Sequence, residues 1–173
     1  MQQLKTLLKE WGAPLAIAIV LSILIQTFIA QAVRVPSASM VPNIKINDRL
    51  IVQKLKAFTS FDHGDIVVFN HAAEGKDEIR YVKRLIGLPG DTIEVKDGVL
   101  YRNGEKADEP YLTSGMAYKF GPVTVPENKY FFLGDNRNES YDAHLWPETY
   151  VDKSKLVGEV IFRFYPFNRI GLM

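Results

Sequence analysis

The sequence predicts a mainly β fold, with antiparallel sheets in a sandwich or partly open barrel, preceded by one N-terminal transmembrane helix. Three observations predict it. From Trp11 to Val33, 23 consecutive residues carry no charge, and Leu15 to Ile25 is almost wholly aliphatic. After Arg34 the pattern changes to short apolar or alternating runs separated by turn residues. Within these, Asp97-Gly98 and Asn103-Gly104 supply the positive φ that tight hairpin turns need, and alternating residues flank them.

The apolar segment comes first. As a helix, 23 residues would span roughly 34 Å, enough for a hydrocarbon core of about 30 Å. Pro14 is expected near the helix start, where a missing N–H is tolerated. Ala30-Gln31-Ala32 resembles a signal-peptide cleavage site, but the apolar run is longer than the usual h-region, which favours an uncleaved anchor. Lys5 and Lys9 precede the span against Glu10, so the positive-inside tendency places residues 1–10 in the cytoplasm. Arg34 bounds the other end, and residues 34–173 would lie outside.

Candidate strands follow at 48–54, 65–70, 78–86, 92–96, 99–102, 129–133 and 156–165. The run from Ile93 to Gly104 reads as a β-meander. Residues 105–128, rich in proline, glycine and polar groups, read as a long loop or insertion. There is no second long helical period and no internal repeat. The 173 residues allow one core-bearing domain besides the anchor.

Composition excludes several chemistries. With no cysteine there is no disulfide framework, zinc–thiolate site, iron–sulfur cluster or thiol nucleophile. A balance of 21 basic against 20 acidic residues argues against a nucleic-acid partner. The excess lies before the span, because residues 34–173 hold 19 of each sign. His63, His71 and His144 form no metal spacing, and His63 and His71 fall in turn-like polar stretches. His144 with Asp142 gives a Ser-His-Asp triad only on paper. Gly87-Leu88-Pro89-Gly90 has no phosphate-loop spacing.

Three segments remain. Val35-Pro36-Ser37-Ala38-Ser39-Met40-Val41-Pro42 is a stiff, non-helical stretch that either links the anchor to the domain or holds a serine near the bilayer. In Tyr81-Val82-Lys83-Arg84-Leu85-Ile86, alternation puts Tyr81, Lys83 and Leu85 on one face and Val82, Arg84 and Ile86 on the other. A lysine among apolar neighbours is either a snorkelling edge residue or a desolvated amine able to act as a general base. Gly134-Asp135-Asn136-Arg137-Asn138-Glu139-Ser140-Tyr141-Asp142 is either a plain turn or a loop that orients a site.

Together and in this order, these segments resemble the type I signal peptidases, membrane-anchored Ser/Lys endopeptidases of the single-span bacterial type. The motifs P-S-x-S-M-x-P, Y-V-K-R-x-I-G-x-P-G-D and G-D-N-R-x-x-S-x-D carry the resemblance, and Gly64-Asp65-Ile66-Val67-Val68-Phe69 matches a further block. The resemblance implies Ser39 as nucleophile and Lys83 as general base. It implies an oxyanion hole from the Ser39 N–H and the Ser37 hydroxyl, and Ser140 orienting the lysine. Arg84, Asp135 and Asp142 would be supporting residues. Val35, Met40, Tyr81 and Val82 would line shallow pockets for small residues at −1 and −3. The family usually continues Ser-x-Asp-Ser-Arg, whereas Ala143 and His144 stand here, so Asp142 would pair with His144.

The implied function is removal of N-terminal signal peptides from exported preproteins at the outer membrane face, through an acyl-enzyme and without metal or cofactor. Preproteins, membrane lipid and a neighbouring secretion translocase are the implied partners, and the bacterial cell membrane the location. The apolar end (Phe162, Phe164, Phe167 and residues 170–173) is expected to dock partly at the bilayer. Two other readings compete: a non-cleaving anchored homologue that binds exported chains, and a cytosolic self-cleaving repressor-type protease. The intact Ser39 and Lys83 oppose the first, and the uncharged span opposes the second.

Overall fold

The computed structural model describes residues 2–55, 60–72 and 77–173. Helix α1 (Gln2–Leu24) begins well before the apolar stretch, so Pro14 lies inside it rather than near its start. There its ring removes one interior hydrogen bond. The helix also ends earlier than the apolar run. A wide π-type turn (Ile25–Ile29) follows, and the chain then enters strand β1 (Ala30–Arg34). The Lys54 ammonium donates to the Gln26 and Thr27 carbonyls (2.8 and 3.1 Å), two acceptors left open where the helix stops. The stretch able to cross a membrane by length and composition is Trp11–Ile29, 19 residues of mean hydropathy 2.2 with none buried.

Eleven further strands follow among the described residues: β2 (Arg49–Gln53), β3 (Ile66–His71), β4 (Ile79–Gly87), β5 (Thr92–Lys96), β6 (Val99–Arg102), β7 (Glu105–Lys106), β8 (Phe120–Thr124), β9 (Lys129–Leu133), β10 (Val151–Asp152), β11 (Leu156–Tyr165) and β12 (Gly171–Leu172). They build two sheets, and the strand pairs are antiparallel. The larger runs β1-β2-β11-β3-β4-β9-β10 with β12 beside β11, and the smaller runs β7-β6-β5-β8. The expected turns form as read: Asp97 and Gly98 (φ 51° and 78°) join β5 to β6, and Asn103 and Gly104 (φ 56° and 83°) join β6 to β7. Residues 105–128 contain strands β7 and β8 of the smaller sheet, with irregular chain between them.

β3 is buried on both faces, as its unbroken apolar run requires. Val67 and Phe69 enter one core cluster, shared by both sheets through Leu85, Ile93, Leu100 and Phe131. Ile66 and Val68 enter the other, with Val35, Met40, Ile44, Leu50, Val52 and Val160. In β4 the expected alternation holds to Leu85. A register shift against β9 between Leu85 and Gly87 then brings Ile86 into the same cluster as Leu85. A bulge of this kind advances one residue without changing face.

Candidate active site

The turn that carries Ser39 is pinned from below. Val35, Met40 and Ile44 are buried in the second cluster, and backbone bonds Val41 N–H to Ala38 O and Ile44 N–H to Met40 O tighten the loop. Anchoring these three residues leaves Ser37 exposed and Ser39 half-buried, with their hydroxyls 3.4 Å apart. Lys83 arrives from β4, an inner strand between β3 and β9. It is only 2% exposed, and its Nζ lies 2.7 Å from the Ser140 hydroxyl. Burial pushes the amine down to about 8, against the opposing pull of the Asp142 and Asp135 carboxylates. An amine with that affinity for protons is neutral in an appreciable fraction of molecules near pH 7 and can accept one.

The loop after β9 brings the two segments together. Asn136 N–H donates to the Ser39 carbonyl at 3.0 Å. Gly134 stands between them: a Cβ there would lie 2.3 Å from both the Ser140 hydroxyl and the Ser39 carbonyl oxygen. Only a residue without a side chain lets the Ser39 backbone and the Ser140 hydroxyl approach the same point. Ser39 Oγ makes no hydrogen bond to Lys83 here; its hydroxyl neighbour is Ser37. Catalytic hydrogen bonds are commonly completed only when substrate is bound.

Each supporting residue has a partner. Arg84 grips Asp135 through two hydrogen bonds (2.7 and 2.6 Å), donates to Gly64 O, and lies 3.8 Å from the Tyr111 ring centroid. Asp142 is fully buried and accepts from Gly134 N–H at 2.8 Å. The His144 Nδ1 lies 2.6 Å from its other oxygen, and the His144 ring stacks on Tyr118 at 3.9 Å. His144 thus stands beside Asp142 at the position where the family usually has an arginine. No serine hydroxyl among the described residues hydrogen-bonds His144, so the paper triad does not assemble. His71 is not in a polar turn: it ends β3, is buried, and lies 4.3 Å from the Trp146 ring.

The four pocket candidates separate. Val35 and Met40 are 2% and 1% exposed, inside the second cluster with Val82 packed against it. Tyr81 and Val82 retain surface, and Tyr81 has the Lys83 amine 6.0 Å from its ring. Sequence reasoning did not single out Gly134, Asn43 or the buried Arg137–Glu109 pair. Gly134 and Arg137 lie within the polar run it quoted. Glu109 is in the stretch read as a loop, and Asn43 directly follows the proline of the first motif.

Comparison with known families supplies the assignment. The family described as signal peptidase, peptidase S26, matches residues 8–165. The chain belongs to this family. It is 45% identical over 168 residues to a probable signal peptidase I-2 of Synechocystis sp., covering 95% of this chain and 76% of that one. With signal peptidase I S of Bacillus subtilis it shares 42% over 173 residues, covering 93% and 91%. A crystal structure of a signal peptidase I from Enterococcus faecalis V583 is 32% identical, with a TM-score of 0.49 over 58% of this chain and 97% of that one.

Proposed function

We propose that Ser39 and Lys83 form the catalytic dyad with which this chain removes signal peptides from preproteins. The chain is a serine endopeptidase of the signal peptidase family, and preproteins are its substrates. The observation that carries the dyad is the desolvated Lys83 amine beside Ser140, in a loop that also holds the Ser39 backbone. Neutral Lys83 takes the Ser39 proton as Oγ bonds to the carbonyl carbon of the −1 residue. The oxyanion meets the Ser39 N–H and the Ser37 hydroxyl. Lys83 then passes its proton to the leaving nitrogen as the C–N bond breaks. Water attacks the resulting ester and returns Ser39. Arg84 and Asp135 brace β4 against the loop, and Asp142 braces Gly134 and, with it, the approach of Ser140 to Ser39. Tyr81 and Val82 face the substrate; Val35 and Met40 form the packed floor behind them. Residue size at −1 and −3 is then limited by how little room this floor leaves.

Residues 11–33 are proposed as anchor and entry strand, with residues 1–10 in the cytoplasm and 34–173 outside. The charge balance around the span supports that orientation. Ser39 follows the span within a few residues, so cleavage takes place at the outer membrane boundary, close to where the translocase delivers its chains. The exposed Phe167, Ile170 and Leu172 (78%, 50% and 86%) support lipid contact by the C-terminal turn and strand, because β12 joins the sheet that also contains β1. With Trp11 replaced by Phe, Phe167→Trp in proteoliposomes should add emission that brominated lipid quenches; added emission that stays unquenched removes lipid as a partner of this surface. The central test is incubation with a preprotein in detergent and mass-spectrometric mapping of the new N-terminus. Ser39→Ala and Lys83→Ala should each abolish the cut while remaining folded, and cleavage by either variant sinks the dyad.

A further inference from the structure

Two hydrogen bonds leave the side chain of Asn43 from one nitrogen. Nδ2 donates to Asp135 Oδ2 at 2.8 Å and to the Tyr111 carbonyl at 2.9 Å. Both partners are acceptors, so the amide nitrogen must face them. Asn43 belongs to the turn that carries Ser39, where Ile44 N–H closes onto Met40 O. Asp135 clamps Arg84, the residue after Lys83. The amide therefore spans from the nucleophile's turn to the support of the base, 92 positions apart in the chain.

The backbone of Asn43 is held as well. Its carbonyl accepts from Arg163 Nη1 (2.8 Å) and Arg169 Nη2 (3.0 Å). Both guanidinium groups also reach the buried Asp48 (3.5 Å from Arg163; 3.1 and 3.2 Å from Arg169), and Arg163 Nε donates to Arg169 O. Asp48 in turn accepts from Lys45 N–H, within the same loop. Charge-assisted bonds of this kind fix position more firmly than neutral ones.

We propose that Asn43 is a positioning residue for the reaction, setting the distance between Ser39 and Lys83, and that Arg163 and Arg169 hold it in register. The inference rests on the Ser39/Lys83 reading. Misplacing reacting groups by about 1 Å can cost on the order of 10²-fold in rate, so loss of this tie should fall on kcat.

The test uses the full chain in detergent with a preprotein substrate at pH 8 or above, and thermal unfolding of every variant. Asn43→Ala should lower kcat by about 10-fold or more with KM changed less than about twofold. Asn43→Asp is nearly isosteric but sets a carboxylate against Asp135. It should be worse than Asn43→Ala, whereas a merely space-filling Asn43 would tolerate it better. Asn43→Ser, which keeps a short donor, should recover part of the loss and serves if the alanine variant does not fold. Arg169→Gln should lower kcat in the same sense, and less than additively with Asn43→Ala. Wild-type kcat in Asn43→Asp, or lowered melting temperatures with unchanged kcat, overturns the inference. Ser39→Ala run in parallel separates the cases: if it is inactive while the Asn43 variants are fully active, only this inference falls.

Discussion

Replacing Lys83 by methionine separates what the amine does for the reaction from what it costs the fold. Burial brings its pKa from the ordinary 10.5 to about 8. Between those values the folded protein binds fewer protons than the unfolded chain, so native stability rises with pH across that window. The cost of the buried ammonium is complete below about pH 8 and vanishes above 10.5. At 1.36 kcal/mol per pKa unit, it amounts to about 3 kcal/mol. Methionine fills a similar volume and carries no charge, so Lys83→Met escapes that cost and also the protease activity. Urea unfolding of the full chain in detergent micelles at pH 7 and pH 10 measures it. The stability of Lys83→Met relative to the wild type should fall by about 2–3 kcal/mol from pH 7 to pH 10. Pairwise effects that do not depend on pH, such as loss of the Ser140 contact, cancel in that difference. A gap that stays constant with pH would mean that the amine is not desolvated as the geometry implies, and the reasoning would fail.

Other perturbations test neighbouring parts. Ser37→Ala should lower kcat by about 10²–10³ with little change in KM, as for loss of one oxyanion donor; an unchanged kcat removes Ser37 from that role. Gly134→Ala places a Cβ 2.3 Å from both the Ser140 hydroxyl and the Ser39 carbonyl. One of them must move, and turnover should drop by roughly 10²-fold; wild-type turnover would show that this close approach is not needed. His144→Ala leaves the buried Asp142 without its side-chain partner. Chemical denaturation should report a loss of about 1–3 kcal/mol, and unaltered stability would make the Asp142–His144 contact dispensable.

What the sequence made legible follows from local physics. Asp97-Gly98 and Asn103-Gly104 announced their turns because few residue pairs adopt those dihedral angles cheaply. Lys83 stood out because its alternating neighbours, Tyr81 and Leu85, are apolar, and it lies buried beside them. β8 falls in the stretch whose proline, glycine and polar content reads as loop, and it contains Gly121-Pro122. It lies at the edge of the smaller sheet, where a missing N–H breaks no ladder on its outer side. β1 was hidden inside the uncharged stretch, since absence of charge suits a membrane helix and a strand equally; its pairing with β2 decides. β10 and β12 have two residues each, too few for any period. The Asn43–Asp135 bond joins two loops through the fold, and no local pattern encodes it. The replacement of arginine by histidine at 144 was visible. That an aromatic ring, Tyr118, would cover it was not, because Tyr118 belongs to the stretch read as a loop.

The dependence of kcat/KM on pH tests the neutral-lysine claim most directly. With Lys83 near 8, the fraction of neutral amine falls about tenfold for each pH unit below that value. Preprotein cleavage by the full chain should therefore rise with unit slope from pH 6 and level off above about pH 8. A profile that is flat from about pH 6 to about pH 9 would contradict a lysine base at Ser39.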